Sequence, residues 1–342
     1  MKFIVASGGT GGHIYPAVSV AIEAKKAGNE VVFLIGGSKI PAERFTNWLE
    51  EHRIPVVWIP AERHPLSLLK GFLKTALPLP DVAAGGRTAV IAAGSYAVAP
   101  VLSAAVLNAI PIYLLEQNMV PGKVIRFYSR FARCVFSEFP LKRRRFVHSG
   151  NPLRPMPLLD KTAARRKLGL PEERFIVLVL GGSQASSKLA ELAVQIAKSM
   201  RDVTFVVQTG GKIPHIGPEN VVFKEFIHEI WLYYSAADLL VARAGGGTIA
   251  EAALFGLPAI LIPYPLASES HQLHNARFME KSGAAVVMEE HQLTPQSLAE
   301  AIRGLMSDQD RLRVMSEAMM SFARPGAADF IVKSVMAGAR CP

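Results

Sequence analysis

The sequence predicts an α/β protein built from two parallel-sheet, Rossmann-like domains. Three observations carry that expectation. Apolar strand-like runs alternate with helix-like runs along the chain, and such alternation means parallel strands covered on both faces. The alternation breaks at 149–157, a stretch with three prolines and no periodicity, and then restarts. In each half a strand runs into a glycine-rich turn that opens a helix, at the strand ends where such sheets bind ligands. The 342 residues suffice for two domains of ordinary size.

Lys2–Ala6 is a short apolar strand, and Pro16–Lys26 has helical spacing with Gly28 as its C-cap. Between them lies Ser7-Gly8-Gly9-Thr10-Gly11-Gly12-His13-Ile14-Tyr15-Pro16. Glycines let the backbone turn tightly and approach a ligand, and a helix N-terminus offers N–H groups and partial positive charge to phosphate. His13 stands at the mouth of the turn, where an imidazole suits a general base; a surface histidine on a plain tight turn is the simpler reading. The run is not a dinucleotide fingerprint, because the third glycine position falls on Ile14 and no carboxylate follows the strand Glu30–Ile35. Nor is it a Walker A loop, since no Gly-Lys-Ser/Thr follows.

Further first-half strands are read at Val31–Ile35, Val56–Ile59, Ala89–Ala92, Ile112–Leu115 and Cys134–Ser137, with helices over Ala42–Glu51 and Ala97–Asn108. In 64–80, Leu66, Leu69, Phe72 and Leu73 share a helical face flanked by Lys70 and Lys74, and a basic cluster follows at Lys142-Arg143-Arg144-Arg145. That combination suits an anionic bilayer surface or, more plainly, a core-facing helix and a solvated charge run. Gly94-Ser95-Tyr96 makes a second glycine turn, and Glu116 and Asn118 close a strand at the same sheet edge as His13. Arg154 ends the linker, where an arginine serves either a salt bridge or a diphosphate.

The second half opens with the strand Arg174–Leu180, the turn Gly181-Gly182-Ser183-Gln184 and a helix to Met200. Thr204–Gln208 and Val221–Glu225 are strands, and Leu239–Arg243 runs into Ala244-Gly245-Gly246-Gly247-Thr248-Ile249-Ala250-Glu251. Glu251, one helical turn in, can accept both hydroxyls of a ribose or simply favour the helix dipole. Gln272 opens a further helix with an amide suited to sugar hydroxyls; His271 and His274 lack a third ligand, so no metal site is expected. Thr294–Ala323 reads as one helix and Ala327–Ala339 as a last one that crosses back to the first domain.

Half the residues are hydrophobic and 19% are charged, which bounds the chain to a globular protein with large cores. The net charge of +10 points to an anionic partner. Nucleic acid is not expected, because no aromatic-rich strand or binding helix accompanies the basic cluster. Cys134 and Cys341 lie far apart and read as two unpaired thiols in a reducing compartment. No signal peptide and no transmembrane helix is expected.

With these motifs in hand, the sequence resembles the MurG family, the peptidoglycan N-acetylglucosaminyltransferases that make lipid II. The match runs in order through Gly8–Ala17, Glu116-Gln117-Asn118, Gly150–Arg154, Gly181–Gln184, Arg243–Glu251 and His271–Ala276. The resemblance implies a GT-B fold, two Rossmann-like domains facing across a cleft. An acceptor and membrane-docking domain would span 1–153, with 327–342 packing back on it, and a UDP-sugar domain 154–326. The implied reaction is inverting transfer of N-acetylglucosamine from UDP-N-acetylglucosamine to the 4-hydroxyl of undecaprenyl-diphospho-N-acetylmuramoyl-pentapeptide (lipid I), with no cofactor. The rival readings are a UDP-N-acetylglucosamine 2-epimerase, another GT-B transferase or a non-catalytic nucleotide-sugar-binding scaffold.

Carried over by position, Ser183 and Gly245, Gly246, Gly247 and Thr248 would hold the UDP phosphates. Glu251 would take the ribose, Gln272 the sugar, and Ile227, beside Phe226, would supply backbone bonds to uracil. Thr10, Gly11, Gly12, Asn118 and Arg154 complete the site, with His13 as the base and Glu116 as its competitor. The family also implies a peripheral protein on the cytoplasmic face of the membrane, docked through the apolar and basic patch, with cell-wall and division proteins as further candidate partners. Three positions depart from the family pattern: Ser95 replaces a glycine, Val98 a serine and Ala185 a glycine.

Overall fold

The computed structural model describes residues 1–38, 43–59, 87–182, 185–211 and 216–341. The expected membrane-facing residues Leu66, Leu69, Lys70, Phe72, Leu73 and Lys74, and the expected phosphate ligand Ser183, lie outside the described residues. The chain divides into two compact units, Met1–Arg154 with Arg324–Pro342, and Pro155–Ala323.

In the first unit, β1 (Lys2–Gly9), β2 (Glu30–Ser38), β3 (Val56–Ile59), β4 (Thr88–Ala93), β5 (Ile112–Glu116), β6 (Cys134–Ser137) and β7 (Phe146–His148) form one sheet. Its order is β3-β2-β1-β4-β5-β6-β7 and every pairing is parallel. The helices are α1 (Gly11–Lys26), α2 (Glu43–Glu51), α3 (Ala99–Leu107) and α4 (Lys123–Tyr128), with a C-terminal helix, Ala327–Met336, returning from the far end of the chain. The pleat of β1 sorts its side chains between two cores. Phe3 and Val5 pack with Ile14, Ala17, Val18 and Ala21 of α1, whereas Ile4 and Ala6 pack with Val101, Leu102 and Ala105 of α3 and Ile125 of α4.

The C-terminal helix buries Ile331, Val332 and Val335 in the α1 core, each a burial of about 1.5–3 kcal/mol. Its docking also overturns the expectation of two separate thiols. Cys134 on β6 and Cys341 form a disulfide with Cα atoms 5.0 Å apart, and the Cys341 N–H donates to the Arg133 carbonyl at 3.0 Å. A separation of 207 residues hides this pairing until the fold brings the tail beside β6.

In the second unit, β8 (Phe175–Leu180), β9 (Val203–Gln208), β10 (Val221–Lys224), β11 (Leu239–Ala242), β12 (Ala259–Leu261) and β13 (Ala285–Val287) form a sheet of order β10-β9-β8-β11-β12-β13, again all parallel. Its helices are α5 (Lys161–Leu168), α6 (Ser187–Ala197), α7 (Ile230–Ala236), α8 (Gly246–Phe255), α9 (His271–Lys281), α10 (Pro295–Met306) and α11 (Gln309–Met320). The single helix expected over 294–323 is therefore two. Asp308 interrupts it, its carboxylate accepting from the Arg311 N–H at 2.9 Å to cap α11.

Strand order reverses between β1 and β4 in the first sheet and between β8 and β11 in the second. These are the topological switch points, where adjacent crossovers leave on opposite faces and open a crevice at the strand ends. The four glycine turns singled out in the sequence follow β1, β4, β8 and β11, the strands that flank these points. Among the described residues no helix is long and apolar enough to cross a membrane.

Candidate functional site

At the end of β1 the backbone is packed too closely for side chains. A Cβ on Gly8 would lie 2.0 Å from the Gly36 carbonyl oxygen, and Gly9 has φ +78°. Thr10 then caps α1, its carbonyl accepting from the N–H groups of His13 and Ile14. Helix α1 thus begins at Gly11, five residues before the start expected at Pro16. Proline favours a first turn, which made Pro16 look like the beginning; here it lies inside the helix. Gly11, Gly12 and His13 consequently occupy the first turn, where backbone N–H groups have no partner within a helix.

The half-buried His13 imidazole lies between the glycine turns. Its Cδ2 would sit 3.9 Å from a Cβ on Gly9, and its Cε1 3.9 Å from a Cβ on Gly94. Its Nδ1 is 3.2 Å from Oε1 of Gln117, a buried residue just past β5. Beside it, Glu116 is buried and fully engaged. Oε1 accepts from the Asn118 N–H at 2.9 Å and from the Asn118 amide at 3.1 Å, and Oε2 accepts from the Gly122 N–H at 3.0 Å. Burial pushes its carboxyl up to about 7, against the downward pull of donors on Gly122, Asn118 and Gln117. Those bonds make Glu116 the anchor of the 117–122 loop and the holder of Asn118.

Arg154 places its guanidinium 4.7 Å from the Trp48 ring centroid, a cation–π contact on the α2 side of the unit. The departures at 95 and 98 have separate structural reasons. Ser95 Oγ accepts from the Ala97 N–H at 3.3 Å, capping a short 3₁₀ turn, while Val98 is fully buried in the α3 core.

In the second unit, β8 ends at another tight turn: a Cβ on Gly181 would lie 2.0 Å from the Ser186 nitrogen, and Gly182 has φ +77°. After β11, Gly245 caps α8, so Gly246, Gly247 and Thr248 form its first turn. Nothing lies within 4 Å of a Cβ placed on Gly245 or Gly247, so this turn faces open space. Glu251 is half-buried and its Oε2 accepts from the Tyr234 hydroxyl at 2.9 Å. Tyr234 is itself buried and stacked on Phe255 at 5.5 Å. Helix α7, which carries Tyr234, begins three residues after the buried Ile227, so one element links the expected uracil and ribose positions. Phe226 beside it packs edge-on against His228. Gln272 Oε1 accepts from the Tyr264 N–H at 2.9 Å, which commits its oxygen and turns its amino group to other partners.

Sequence reasoning missed the scaffold beneath these residues. Arg243 is buried between strand ends: it pairs with Glu290 at 2.5 Å, donates to Ser186 Oγ at 3.2 Å and to the Ile262 and Pro263 carbonyls, and lies over the Tyr264 ring. Lys188 also reaches Glu290, at 3.0 Å. Burial pushes the Glu290 carboxyl up, but hydrogen bonds from Lys188 and Arg243 and their charges outweigh it and hold the group below the usual carboxylate range. Asn275, fully buried, donates to the Ala244 carbonyl at 3.1 Å and so fixes the approach to the glycine turn.

Known proteins share this architecture. The glycosyltransferase family 28 N-terminal domain matches residues 3–137, and its C-terminal domain matches residues 176–331. The chain is 33% identical to the UDP-N-acetylglucosamine–N-acetylmuramyl-(pentapeptide) pyrophosphoryl-undecaprenol N-acetylglucosamine transferase of Desulforudis audaxviator, over 97% of both chains. It is 32% identical to the enzyme of the same name from Bacillus subtilis, over 96% of this chain and 97% of that one. The crystal structure of Acinetobacter baumannii MurG matches at a TM-score of 0.76 and 25% identity, covering 98% of this chain and 100% of that chain. A UDP-GlcNAc 2-epimerase from Neisseria meningitidis, at 15% identity and a TM-score of 0.66, shares the fold. The two parallel-sheet units are those of the GT-B class.

Proposed function

The chain belongs to the MurG family of family 28 glycosyltransferases, and from that premise we propose how its two units divide the work. The protein transfers N-acetylglucosamine from UDP-N-acetylglucosamine to lipid I, giving lipid II for peptidoglycan synthesis. The observation that carries this function is that the similarity to named transferases covers 97% of the chain, so both glycine turns lie inside it.

In the reaction the acceptor's 4-hydroxyl oxygen attacks C1 of the sugar. The bond from C1 to the diphosphate oxygen breaks, its electron pair leaves with UDP, and C1 inverts. His13 takes the hydroxyl proton, a role supported by its position in the first turn of α1 beside Gln117. On the acceptor side, the N-cap Thr10 and the first-turn residues Gly11 and Gly12 offer backbone amides to the diphosphate, while Asn118, held by Glu116, and Arg154 complete the contacts. On the donor side, the first turn of α8, Gly246 to Thr248 after its cap Gly245, stabilises the leaving diphosphate through N–H groups and the helix dipole. Ser183 is the further phosphate ligand. Glu251, oriented by Tyr234, takes the ribose hydroxyls, Gln272 the sugar, and the Ile227 backbone the uracil.

The finer placement of the protein is also a proposal: a peripheral location on the cytoplasmic face of the inner membrane, serving cell shape and division together with cell-wall proteins. Among the described residues its support is an aromatic and cationic surface. Phe127 is 50% and Phe131 47% exposed, Arg130 lies over the Phe127 ring at 4.7 Å, and Lys142, Arg143 and Arg144 are exposed nearby in sequence.

Transfer of radiolabel from UDP-N-acetylglucosamine to a lipid I analogue tests the reaction. Label should move only when acceptor is present. Conversion of the UDP-sugar without acceptor indicates an epimerase, and binding without turnover a scaffold; either result overturns the assignment.

A further inference from the structure

We propose that Gln117 is the positioning residue that sets the tautomer of His13 and thereby makes it a base at neutral pH. The inference rests on His13 being the base and goes beyond it, to how the ring is prepared. The geometry is a contact between the first turn of α1 and the end of β5. Nδ1 of His13 lies 3.2 Å from Oε1 of Gln117. A carbonyl oxygen can only accept, so the proton of this bond sits on Nδ1 and the lone pair of the neutral ring on Nε2. An orienting partner on one ring nitrogen defines the chemistry of the other.

Three features make the contact a device rather than a chance approach. Gln117 is buried, so its amide has few places to turn. Its backbone is fixed from the neighbouring side, because the Glu116 carboxylate receives hydrogen bonds from the main chain of Gln117, Asn118 and Gly122. The Gly9 and Gly94 turns flank the ring's other edges, where an added Cβ would come to 3.9 Å from it, so the space beside the ring is confined. The orienting group is also neutral. A carboxylate here would stabilise the imidazolium and raise its pKa, leaving less free base at neutral pH; an amide fixes the tautomer without that charge.

The test uses the full-length enzyme and three variants, Gln117→Leu, Gln117→Glu and His13→Ala. Nitrogen-15 NMR of the histidine rings, with the His13 signals identified by their loss in His13→Ala, should show the Nδ1–H tautomer in the wild type. In Gln117→Leu the proton should move to Nε2, and kcat should fall about 10- to 100-fold while KM for UDP-N-acetylglucosamine stays within about twofold. Gln117→Glu should keep the Nδ1–H tautomer and recover near-wild-type kcat at alkaline pH, with the acid limb of kcat/KM moved upward by about one unit. The proposal is overturned if the wild-type ring carries its proton on Nε2, if Gln117→Leu leaves kcat unchanged, or if Gln117→Glu is as impaired as Gln117→Leu at every pH. Wild-type turnover in His13→Ala is a separate result: it removes His13 as the base, and this inference with it.

Discussion

The glycine turn after β1 and the glycine turn after β11 are the same device on two sheets, but they are supported in opposite ways. Each follows a strand at a topological switch point and opens a helix with backbone amides in its first turn. The first has its chemistry-bearing side chain in the turn itself, His13, backed by an amide and a hydrogen-bonded carboxylate. The second has only glycines and Thr248 in the turn, and beneath it an ion-paired layer of Arg243, Glu290 and Lys188. The difference suits the tasks proposed for the two turns. A group that must gain and lose a proton is poorly placed beside fixed charges, which would pin its protonation state. A turn that must only hold a diphosphate gains from a rigid frame, because amides already in place need not reorganise as charge develops.

The sharpest way to break this comparison is to remove the frame. Arg243→Ala leaves Glu290 without its closest partner and opens the joint between four strand ends. Glu290 is partly buried and keeps Lys188, so the loss is that of one charged hydrogen-bonding partner, about 1.5–3 kcal/mol. Urea denaturation of the variant should show that loss, and a change below about 0.5 kcal/mol, typical of a surface substitution, would mean the network does not hold the turn. His13→Ala probes the other side. Its kcat should fall at least about 100-fold while the dissociation constant for UDP-N-acetylglucosamine is unchanged, the signature of a group that acts on the proton and not on the donor. Weakened donor binding in that variant, with kcat intact, would erase the distinction between the turns.

The parts of this picture that sequence could show are those with a local pattern. Lys2–Ala6 and Arg174–Leu180 announce strands, and Gly8–Gly12 and Gly245–Gly247 announce turns, because each signal lies within a few residues. The supporting layer had no such signal. His13 and Gln117 are 104 residues apart, Asn275 and Ala244 are 31 apart, and Tyr234 and Glu251 are 17 apart. Each pair becomes visible only once strand order and helix packing are known. The start of α1 was misplaced for a local reason, since Pro16 carries the usual mark of a first turn although Thr10 supplies the cap.

Two smaller effects sharpen the contrast. Glu251→Ala should weaken UDP-N-acetylglucosamine binding by about 1–3 kcal/mol through lost charge-assisted bonds, with kcat nearly unchanged at saturation; an unchanged dissociation constant by calorimetry would withdraw the ribose role. Glu116 should give the first unit a pH dependence. Its folded-state carboxyl is raised from 4.5 to about 7, so the folded protein takes up a proton as pH falls through 7 and the wild type gains stability relative to Glu116→Gln. By linkage that gain is at most about 2 kcal/mol between pH 7 and pH 5, and it disappears on returning to alkaline pH. Denaturation curves of both proteins at the two pH values measure it. Parallel pH profiles would show that Glu116 stays ionised on its hydrogen-bond donors, making both units alike in resting on fixed charge.

The smallest expected effect concerns a residue that departs from its family. Ala185 has φ +50°, in the left-handed region, and sits in the turn between β8 and α6. A side chain there costs about 1–2 kcal/mol, which a glycine avoids. That cost explains why the family pattern carries glycine at this position. Ala185→Gly removes the strain but also frees the unfolded chain, a penalty of roughly 0.5–1 kcal/mol. The two partly cancel, so the variant should be more stable than the wild type by about 0–1.5 kcal/mol. Gly182→Ala supplies the control, because Gly182 has φ +77° and a Cβ there meets nothing within 4 Å. With no packing to change, its destabilisation measures the backbone cost alone. If Ala185→Gly destabilises while Gly182→Ala also does, the methyl of Ala185 contributes packing that the backbone angle conceals, and the donor turn depends on a side chain after all.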